Sequence, residues 1–565
     1  MWALENKSNQ KNQIVSPNSD SLEKADGQAN LPSELLILNR FGIQQNQMLA
    51  ALKLAHKYKI SASEVLIRAN IITPNIWHEA QQMLFAEQER AKQKRFMREN
   101  LLLDAVHGLK ENLPEYSAFR TFTIWQIAFG AFFITAIALA TNFQISLLLL
   151  IGIILITLFY TGGVLMRGLM LASFQYRQVS EQALINMDNN ALPTYSLLIA
   201  LYKESGQIDG LTKALQHIEW PKHKLDIKLI CEEDDVETIS AIRAAKLPSY
   251  FDLIIVPEAQ PRTKPKALNF ALPLCQGEYA VLYDAEDRPS PLQLREAYAK
   301  FMTESDDLMC LQAPLEIHNA NQSWLSRMFA IEYITLFNGI LPVLAKWKVP
   351  IPLGGTSNHF KIDKLREIGA WDPFNVTEDA DLGIRIYRHG YRCSTLSLPT
   401  YEEAPPEFTP WVKQRTRWLK GWMQTILVHN RNPARLIKEM GIRNALAFHL
   451  FLTSIVISVM IHPVFLYLSL QQLFYLPSST YSGIDSIFIL TSIFNLVGGY
   501  TTYGLLAYAV LQATDNGRYS KSLLLLPFYW LIISLAGWRA FIHLLYKPHV
   551  WEKTPHGLFA NSNSH

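Results

Sequence analysis

Charge is scarce in this chain. Only 18% of its 565 residues are Asp, Glu, Lys or Arg, against about 25% in ordinary soluble domains. The net charge is +3, so no global field argues for nucleic acid. Cysteine is nearly absent. The four present (Cys231, Cys275, Cys310 and Cys393) are far apart and lack zinc-type spacing, which excludes a disulfide-stapled module and suggests reduced thiols in a cytoplasmic compartment. The first 30 residues have no apolar h-region, so no amino-terminal signal peptide is expected. What is plentiful is apolar: 49% of residues are hydrophobic and 11% aromatic, which excludes disorder throughout and a collagen-like chain.

The apolar residues are unevenly placed. Residues 1–30 are rich in Asn, Gln, Ser and Lys and read as a disordered tail. Residues 31–102 show apolar positions at spacings of three and four, the pattern of a small helical domain of four or five short helices. Ser61 and Thr73 stand where N-caps are expected, Thr73 before a proline. Between Arg120 and Arg167 no residue is charged. A membrane helix needs about 20 apolar residues, so 121–166 is expected to be a transmembrane hairpin broken at Asn142–Gln144. Its flanks carry Lys110, Arg120, Arg167 and Arg177, which places both in the cytoplasm by the positive-inside rule.

Residues 174–432 read differently. Short apolar runs (YSLLIALY, IKLICEE, DLIIVP, EYAVLYD) alternate with amphipathic segments, as in a parallel sheet covered on both faces. Ligands of such sheets sit beyond the carboxyl ends of the strands. From 444 to 546 three apolar runs predict about three further spans, followed by a tail, 547–565. Basic residues in the second connection (Arg518, Lys521) fit a path out and back. The basic tail KPHVWEKTPHG would then be carried outward. Either the last run does not cross fully or an earlier one is re-entrant.

Acidic residues collect at the expected strand ends. Glu204 follows the first strand with Tyr202; Glu232, Glu233, Asp234 and Asp235 follow the second. Asp284 and Glu286 follow EYAVLY. At spacing two on an extended segment both point to one side, where a hard divalent cation shared with substrate phosphates would find its oxygen ligands. Alone, any such end is an ordinary solvated loop. Asp379 and Asp381 precede an amphipathic helix; they either complement its amino end or supply a general base. In PWVKQRTRWLKGW, basic residues interleave with Trp411, Trp418 and Trp422. This suits a helix on the bilayer surface, and an arginine there could also grip a diphosphate. Trp324–Trp347 is apolar but carries Arg327 and Glu332, as an interfacial helix would. The Gly-rich PLGGTSNHF that follows would let backbone approach a ligand.

Taken in order, these pieces resemble the processive family 2 glycosyltransferases, the group of cellulose, hyaluronan and chitin synthases. The family pattern is an acidic pair, D-x-D, T-E-D and Q-x-x-R-W. The counterparts are Glu232-Glu233 or Asp234-Asp235, Asp284-Ala285-Glu286, Thr377-Glu378-Asp379 and Gln414-Arg415-Thr416-Arg417-Trp418. The last two match to the letter; Glu286 in place of Asp is a departure that keeps the charge. The resemblance covers about residues 120–550. Residues 31–102 resemble the helical domain that opens type II secretion and pilus ATPases.

The resemblance implies an α/β GT-A domain, a mostly parallel nucleotide-sugar-binding sheet inserted between transmembrane helices, behind a small all-α domain. It implies Tyr202 and Glu204 beside the nucleotide, with Lys203 replacing the family's Asn, and Glu232 or Glu233 at the uracil. Asp284 and Glu286 would hold Mg2+ or Mn2+. Asp379 would be the base within Thr377-Glu378-Asp379. Gln414, Arg417 and Trp418 would hold diphosphate and acceptor sugar, with Gly354, Gly355, Thr356 and, less directly, His359 near the acceptor. The implied activity is inverting transfer from a nucleotide-diphosphate sugar, UDP-linked, to a growing β-linked exopolysaccharide at a bacterial inner membrane, with catalytic domain and N-terminus cytoplasmic. Partners would be donor, polysaccharide, lipid bilayer and export-complex proteins docking on 31–102. The rivals are a non-processive transferase using a lipid-linked acceptor, and a non-catalytic membrane scaffold.

Overall fold

The computed structural model describes residues 31–142, 146–176, 178–475 and 483–550. The tail 1–30, the break at 143–145 and residues 551–565 lie outside the described residues. The chain divides into two compact units, one ending at Asn100 and one beginning at Leu101.

The first unit is all helical. Helices α1 (Gln45–Tyr58) and α2 (Ala62–Arg68) precede α3, which starts at Pro74 and runs to Asn112. The expected caps form: Glu64 N donates to Ser61 Oγ at 3.1 Å and Ile76 N to Thr73 Oγ1 at 3.2 Å. Leu38, Met48, Leu66 and Ala80 make a small core with no exposure at all. The difference from the expected series of short helices is the length of α3, 39 residues. Its charged middle contains no glycine or internal proline to stop it. This unit contributes no residue to the cavity described below. Truncation before Leu101 is therefore expected to leave nucleotide release in membranes largely unchanged; complete loss in a folded, inserted truncation would contradict this.

In the second unit the four apolar runs become four adjacent strands of a seven-stranded sheet. Its strands are β1 (Tyr195–Leu201), β2 (Leu225–Glu232), β3 (Phe251–Val256), β4 (Tyr279–Tyr283), β6 (Leu308–Gln312), β8 (Asn358–Lys361) and β9 (Arg392–Thr395), ordered β3-β2-β1-β4-β8-β6-β9. β8 alone runs antiparallel to its neighbours. A second, three-stranded sheet joins β5 (Arg288–Pro289), β10 (Thr400–Glu402) and β7 (Leu315–Ile317). Every residue of β2 and β4 is buried; β4 accordingly reads as a continuous apolar run, whereas β2 buries Asp226 and Lys228 as an ion pair at 2.6 Å. This mostly parallel sheet is the GT-A arrangement that the resemblance implied.

The sheet lies in the chain between apolar helices. α4 (Ile124–Asn142) and α5 (Ser146–Ser173) precede it, and α6 (Trp324–Lys346) interrupts it. Helix α7 (Glu378–Arg388) and helix α8 (Phe408–His429) close the catalytic region. Beyond them come α9 (Pro433–Phe448), α10 (Ser454–Tyr475), α11 (Gly483–Ala513) and α12 (Leu526–Tyr546). Among the described residues four helical stretches are long and apolar enough to cross a membrane: Ile154–Ser173, Trp324–Lys346, Pro433–Gln471 and Gly517–Tyr546. α6, expected at the interface, is mostly buried inside the protein, with Met328, Phe329, Ala330 and Ile331 each 1% exposed.

The last helix packs back on α6 and α8. Near its start Tyr529 Oη donates to Glu332 of α6 at 2.8 Å. Just past its end Lys420 Nζ of α8 donates to the carbonyls of Lys547 at 3.1 Å and Val550 at 2.6 Å. The two ends of α12 thus contact α6 and α8 respectively.

Candidate active site

The carboxyl ends of β1, β2 and β4 open on a cavity of about 490 Å³. Its wall holds Tyr202, Glu204, Glu232, Asp284, Glu286 and the Gly354–Thr356 turn. From the other side come Thr377, Glu378, Asp379, Gln414, Arg417 and Trp418. Residues from four separate motifs, spread over more than two hundred positions, therefore share one space.

Asp284 directly follows β4, where the chain leaves the sheet. Lys264 Nζ pairs with its carboxylate and also donates to the carbonyl of Gly355 at 2.8 Å. A methyl group on Gly355 would lie 3.1 Å from Asp379 Oδ2, so the turn passes directly against that acid and tolerates little more than hydrogen there. Lys264 consequently stands between the two acidic motifs. Burial works against its ammonium, but Asp284 and Glu378 outweigh burial and raise its pKa.

The acids themselves are destabilised as anions. Burial, then Asp379, pushes Glu378 up to about 7. Burial also raises Asp379, although the Ala380 N–H, Lys264 and Arg417 oppose it. On β10, Glu402 is held well above the carboxylate range by burial and by Asp287, Glu286 and Asp284. Asp287 is raised for the same kind of reason, and its Oδ1 is buried without a hydrogen-bond partner. This surplus of buried negative charge, with a half-satisfied carboxylate inside it, fits a bound cation. No group of three or more Asp, Glu, His or Cys side chains converges on one point among the described residues. A cation here would rest on Asp284 and Glu286 and complete its shell with ligand oxygens.

The two motif helices are locked together. The segment before α7 lies on α8: Val376 N donates to Gln424 Oε1 and Asn375 Nδ2 to Thr425 Oγ1, both at 3.2 Å. Gly421 of α8 faces Thr377, where a methyl group would meet Thr377 Oγ1 at 2.2 Å. Farther along, Asp381 is fully buried with Arg385 at 3.3 Å and His429 Nε2 at 3.2 Å. Asp381 thus braces α7 against α8, whereas Asp379 faces the cavity. Similarly, the two arginines of the basic helix separate. Arg415 is held by Glu332 Oε1 at 2.6 Å and Tyr529 Oη at 3.1 Å and stacks over Phe329 and Trp418. Both arginines line the cavity, but Arg415 is the one committed to Glu332.

Two expected residues fall elsewhere. Glu233 is exposed and is not on the cavity wall; the strand's alternation turns it away while Glu232 faces in. Glu232 is itself paired at 2.6 Å with the fully buried Lys266. His359 lies within the sheet, on β8, bonded to Tyr195 Oη at 2.7 Å and within 3.2 Å of Gln293. Burial drives its pKa down to about 3, so it is a neutral core histidine and not an acceptor-site residue. Conversely, Arg262, Lys264, Glu402 and His549 line the cavity without having been singled out. The run Arg262-Thr263-Lys264 just beyond β3, at the same sheet edge as the acids, was the available signal.

Such a chamber, acids at one sheet edge facing a basic aromatic helix, suits transfer of a group from a phosphate-bearing donor. Residues 196–361 match the model described as Glycosyl transferase family 2, and residues 279–546 match Glycosyl transferase family group 2. The chain therefore carries family 2 glycosyltransferase domains. Its similarities include a "Probable glycosyltransferase" of Sulfolobus acidocaldarius, 25% identical over 250 residues, 43% of this chain and 52% of that protein. The UDP-forming cellulose synthase catalytic subunit of Komagataeibacter sucrofermentans is 25% identical over 279 residues, 48% of this chain and 36% of that one. The match thus spans about half or less of these relatives' own length. Among solved structures, a mannosyltransferase of Pyrobaculum calidifontis in complex with GDP-Man and Mn2+ aligns with a TM-score of 0.44 at 17% identity, over 70% of this chain and 98% of that one.

Proposed function

We propose that the protein is a membrane-embedded inverting glycosyltransferase that moves a sugar from a nucleotide-diphosphate donor, UDP-linked, to a β-linked saccharide. The observation that carries this is the meeting of Asp284, Asp379 and Arg417 on one cavity wall. The donor diphosphate lies by Asp284, Glu286 and Arg417, with Tyr202, Glu204 and Glu232 toward the nucleotide. Asp379 accepts the proton of an acceptor hydroxyl. The freed oxygen attacks the anomeric carbon as its bond to the diphosphate oxygen breaks, so an α-linked donor gives a β-linked product. Arg417 meets the leaving charge with a planar fork, and Trp418, near Tyr333 and Phe329, offers the acceptor sugar a face to stack on. A divalent cation, Mg2+ or Mn2+, bound at Asp284 and Glu286 would neutralise charge on the diphosphate.

The raised carboxyls set the pH dependence. A base with a raised pKa is lost to protonation earlier on acidification. The acid limb of kcat/KM should then lie above the usual carboxylate position near about 4; a limb at the ordinary position would contradict the assignment. The cation reading has its own test. Asp284→Ala should abolish both transfer and Mn2+ binding, and full wild-type activity in excess chelator would remove the cation from the account. The decisive screen is purified membranes offered a panel of nucleotide sugars, with released nucleotide and polymer both measured. No release from any donor would return the chain to a scaffold role.

The acceptor is a growing exopolysaccharide in our first reading, moved outward as it lengthens, at a bacterial inner membrane with the catalytic domain in the cytoplasm. Residues 31–102 then serve as a docking module for export partners, in keeping with their resemblance to the secretion-ATPase domain. A second reading, a lipid-linked acceptor, is favoured by the largely apolar membrane-side wall of the cavity, which includes Met166, Phe337, Ile455 and Val459.

A further inference from the structure

Helix α5 has a single charged residue, Arg167. An arginine that merely ends a span reaches for the interface with its long stem. The catalytic-side end of α5 is Ser173, whose carbonyl accepts from Lys346 Nζ at 3.3 Å. Arg167 does not reach that way. A methyl group on Gly163, one turn back toward the apolar middle of the helix, would lie 3.6 Å from Arg167 Nη2 and 3.6 Å from Ser454 Oγ of α10. The guanidinium is therefore folded back into the helix bundle.

Among the described residues no Asp or Glu forms an ion pair with it. Its ionisable neighbours are Tyr160 and Tyr503. Glu332, another residue of the wall, is already held by Arg415 at 2.6 Å and by Tyr529 Oη at 2.8 Å. Arg167 is half-buried and lines the cavity shared with Asp379, Arg417 and Trp418. A cation among apolar side chains is costly unless an anion meets it. Around it the wall is mostly apolar: Met166, Met170, Phe337, Ile455, Val459 and Trp530. A plain sugar chain would leave both the charge and these side chains poorly matched. An amphiphile with one oxyanion and a hydrocarbon tail matches both, and the guanidinium fork suits a phosphate in bidentate fashion.

We propose that Arg167 binds the phosphate of a lipid-linked acceptor, whose tail lies along the apolar wall while its sugar hydroxyl reaches Asp379. This rests on the glycosyltransferase reading for the last step only; phosphate binding is a separate measurement.

The test uses the full chain in lipid nanodiscs with farnesyl phosphate, farnesol, inorganic phosphate and an oligouronate as probes, their affinities followed by tryptophan fluorescence. Farnesyl phosphate should bind at least tenfold more tightly than farnesol and than inorganic phosphate. Arg167→Gln should erase the advantage over farnesol, Arg167→Lys should recover part of it, and both should melt at the wild-type temperature. Should Arg167→Gln fail to fold, Gly163→Leu decides, since it keeps the charge and fills the space beside the guanidinium; it too should weaken farnesyl phosphate tenfold. Equal affinity for farnesol, undiminished binding by the folded variants, or Arg167-dependent binding of the oligouronate in place of farnesyl phosphate would overturn the proposal. Nucleotide release from a donor panel, run on the same preparation, separates the two readings: its absence ends the glycosyltransferase account and leaves the phosphate result standing, and the reverse pattern does the opposite.

Discussion

Asp379→Asn is expected to abolish sugar transfer while donor affinity stays near wild type. Its carboxylate faces the Gly355 turn across a gap that admits no more than 3.1 Å to a built methyl group, on the wall shared with Asp284 and Arg417. Asparagine has the same shape and keeps one acceptor oxygen, so the cavity should not collapse. What it lacks is a basic site, and losing a general base costs ~10²–10⁴ in rate. Neighbouring Glu378, raised to about 7 by burial and Asp379, titrates downward once the adjacent charge is removed. A Glu378→Gln variant made alongside shows whether it can stand in for Asp379. Comparing single-turnover rates and donor binding of the two variants assigns the role. Wild-type turnover in Asp379→Asn would remove that residue from the mechanism.

Gly421→Ala should be nearly as damaging, although position 421 bears no functional group. The added methyl would sit 2.2 Å from Thr377 Oγ1 and 2.7 Å from Thr377 Cβ, distances that real atoms do not adopt. Thr377 cannot retreat easily, because Asn375 and Val376 are tied to Thr425 and Gln424 of the same helix. Overpacking of this kind costs about 1–3 kcal/mol. The shift falls on the residues leading into Glu378 and Asp379, and a ~1 Å misplacement of a catalytic group can cost about 10² in rate. Thr377→Ser combined with Gly421→Ala should recover part of the loss by removing the Cγ2 that the methyl would otherwise meet at 2.5 Å. Normal activity of the single variant, with an unchanged melting temperature, would show that α7 and α8 are not held at this distance.

Much of this was legible before any coordinates. β1 and β4 appear where continuous apolar runs lead to acids, since a strand buried on both faces leaves no alternation to blur the signal. Asp284 lies at the sheet edge, whereas Glu378 and Asp379 open α7 and Gln414, Arg417 and Trp418 stand on α8 across the same cavity. The limits were those of long-range pairing. Nothing local distinguishes Arg415 from Arg417; only Glu332 and Tyr529, distant in the chain, make one a brace. Glu233 looked equivalent to Glu232 until the strand register turned one inward. His359 borders the glycine turn in sequence, yet β8 carries it into the sheet beside Tyr195. Lys264 was overlooked because a lone lysine after a strand is common, and its meaning comes from Asp284 and the Gly355 carbonyl closing on it.

The most direct test of the account is the stereochemistry of the transferred sugar. The purified full-length protein in nanodiscs is given the α-linked nucleotide sugar found active in the donor panel, and the anomeric configuration of the product is read by NMR for wild type and for Asp379→Asn. The account predicts a β-linked product from the wild type, one nucleotide diphosphate released per sugar transferred, and no product from the variant. An α-linked product, or β-linked product formed at the wild-type rate by Asp379→Asn, would contradict it.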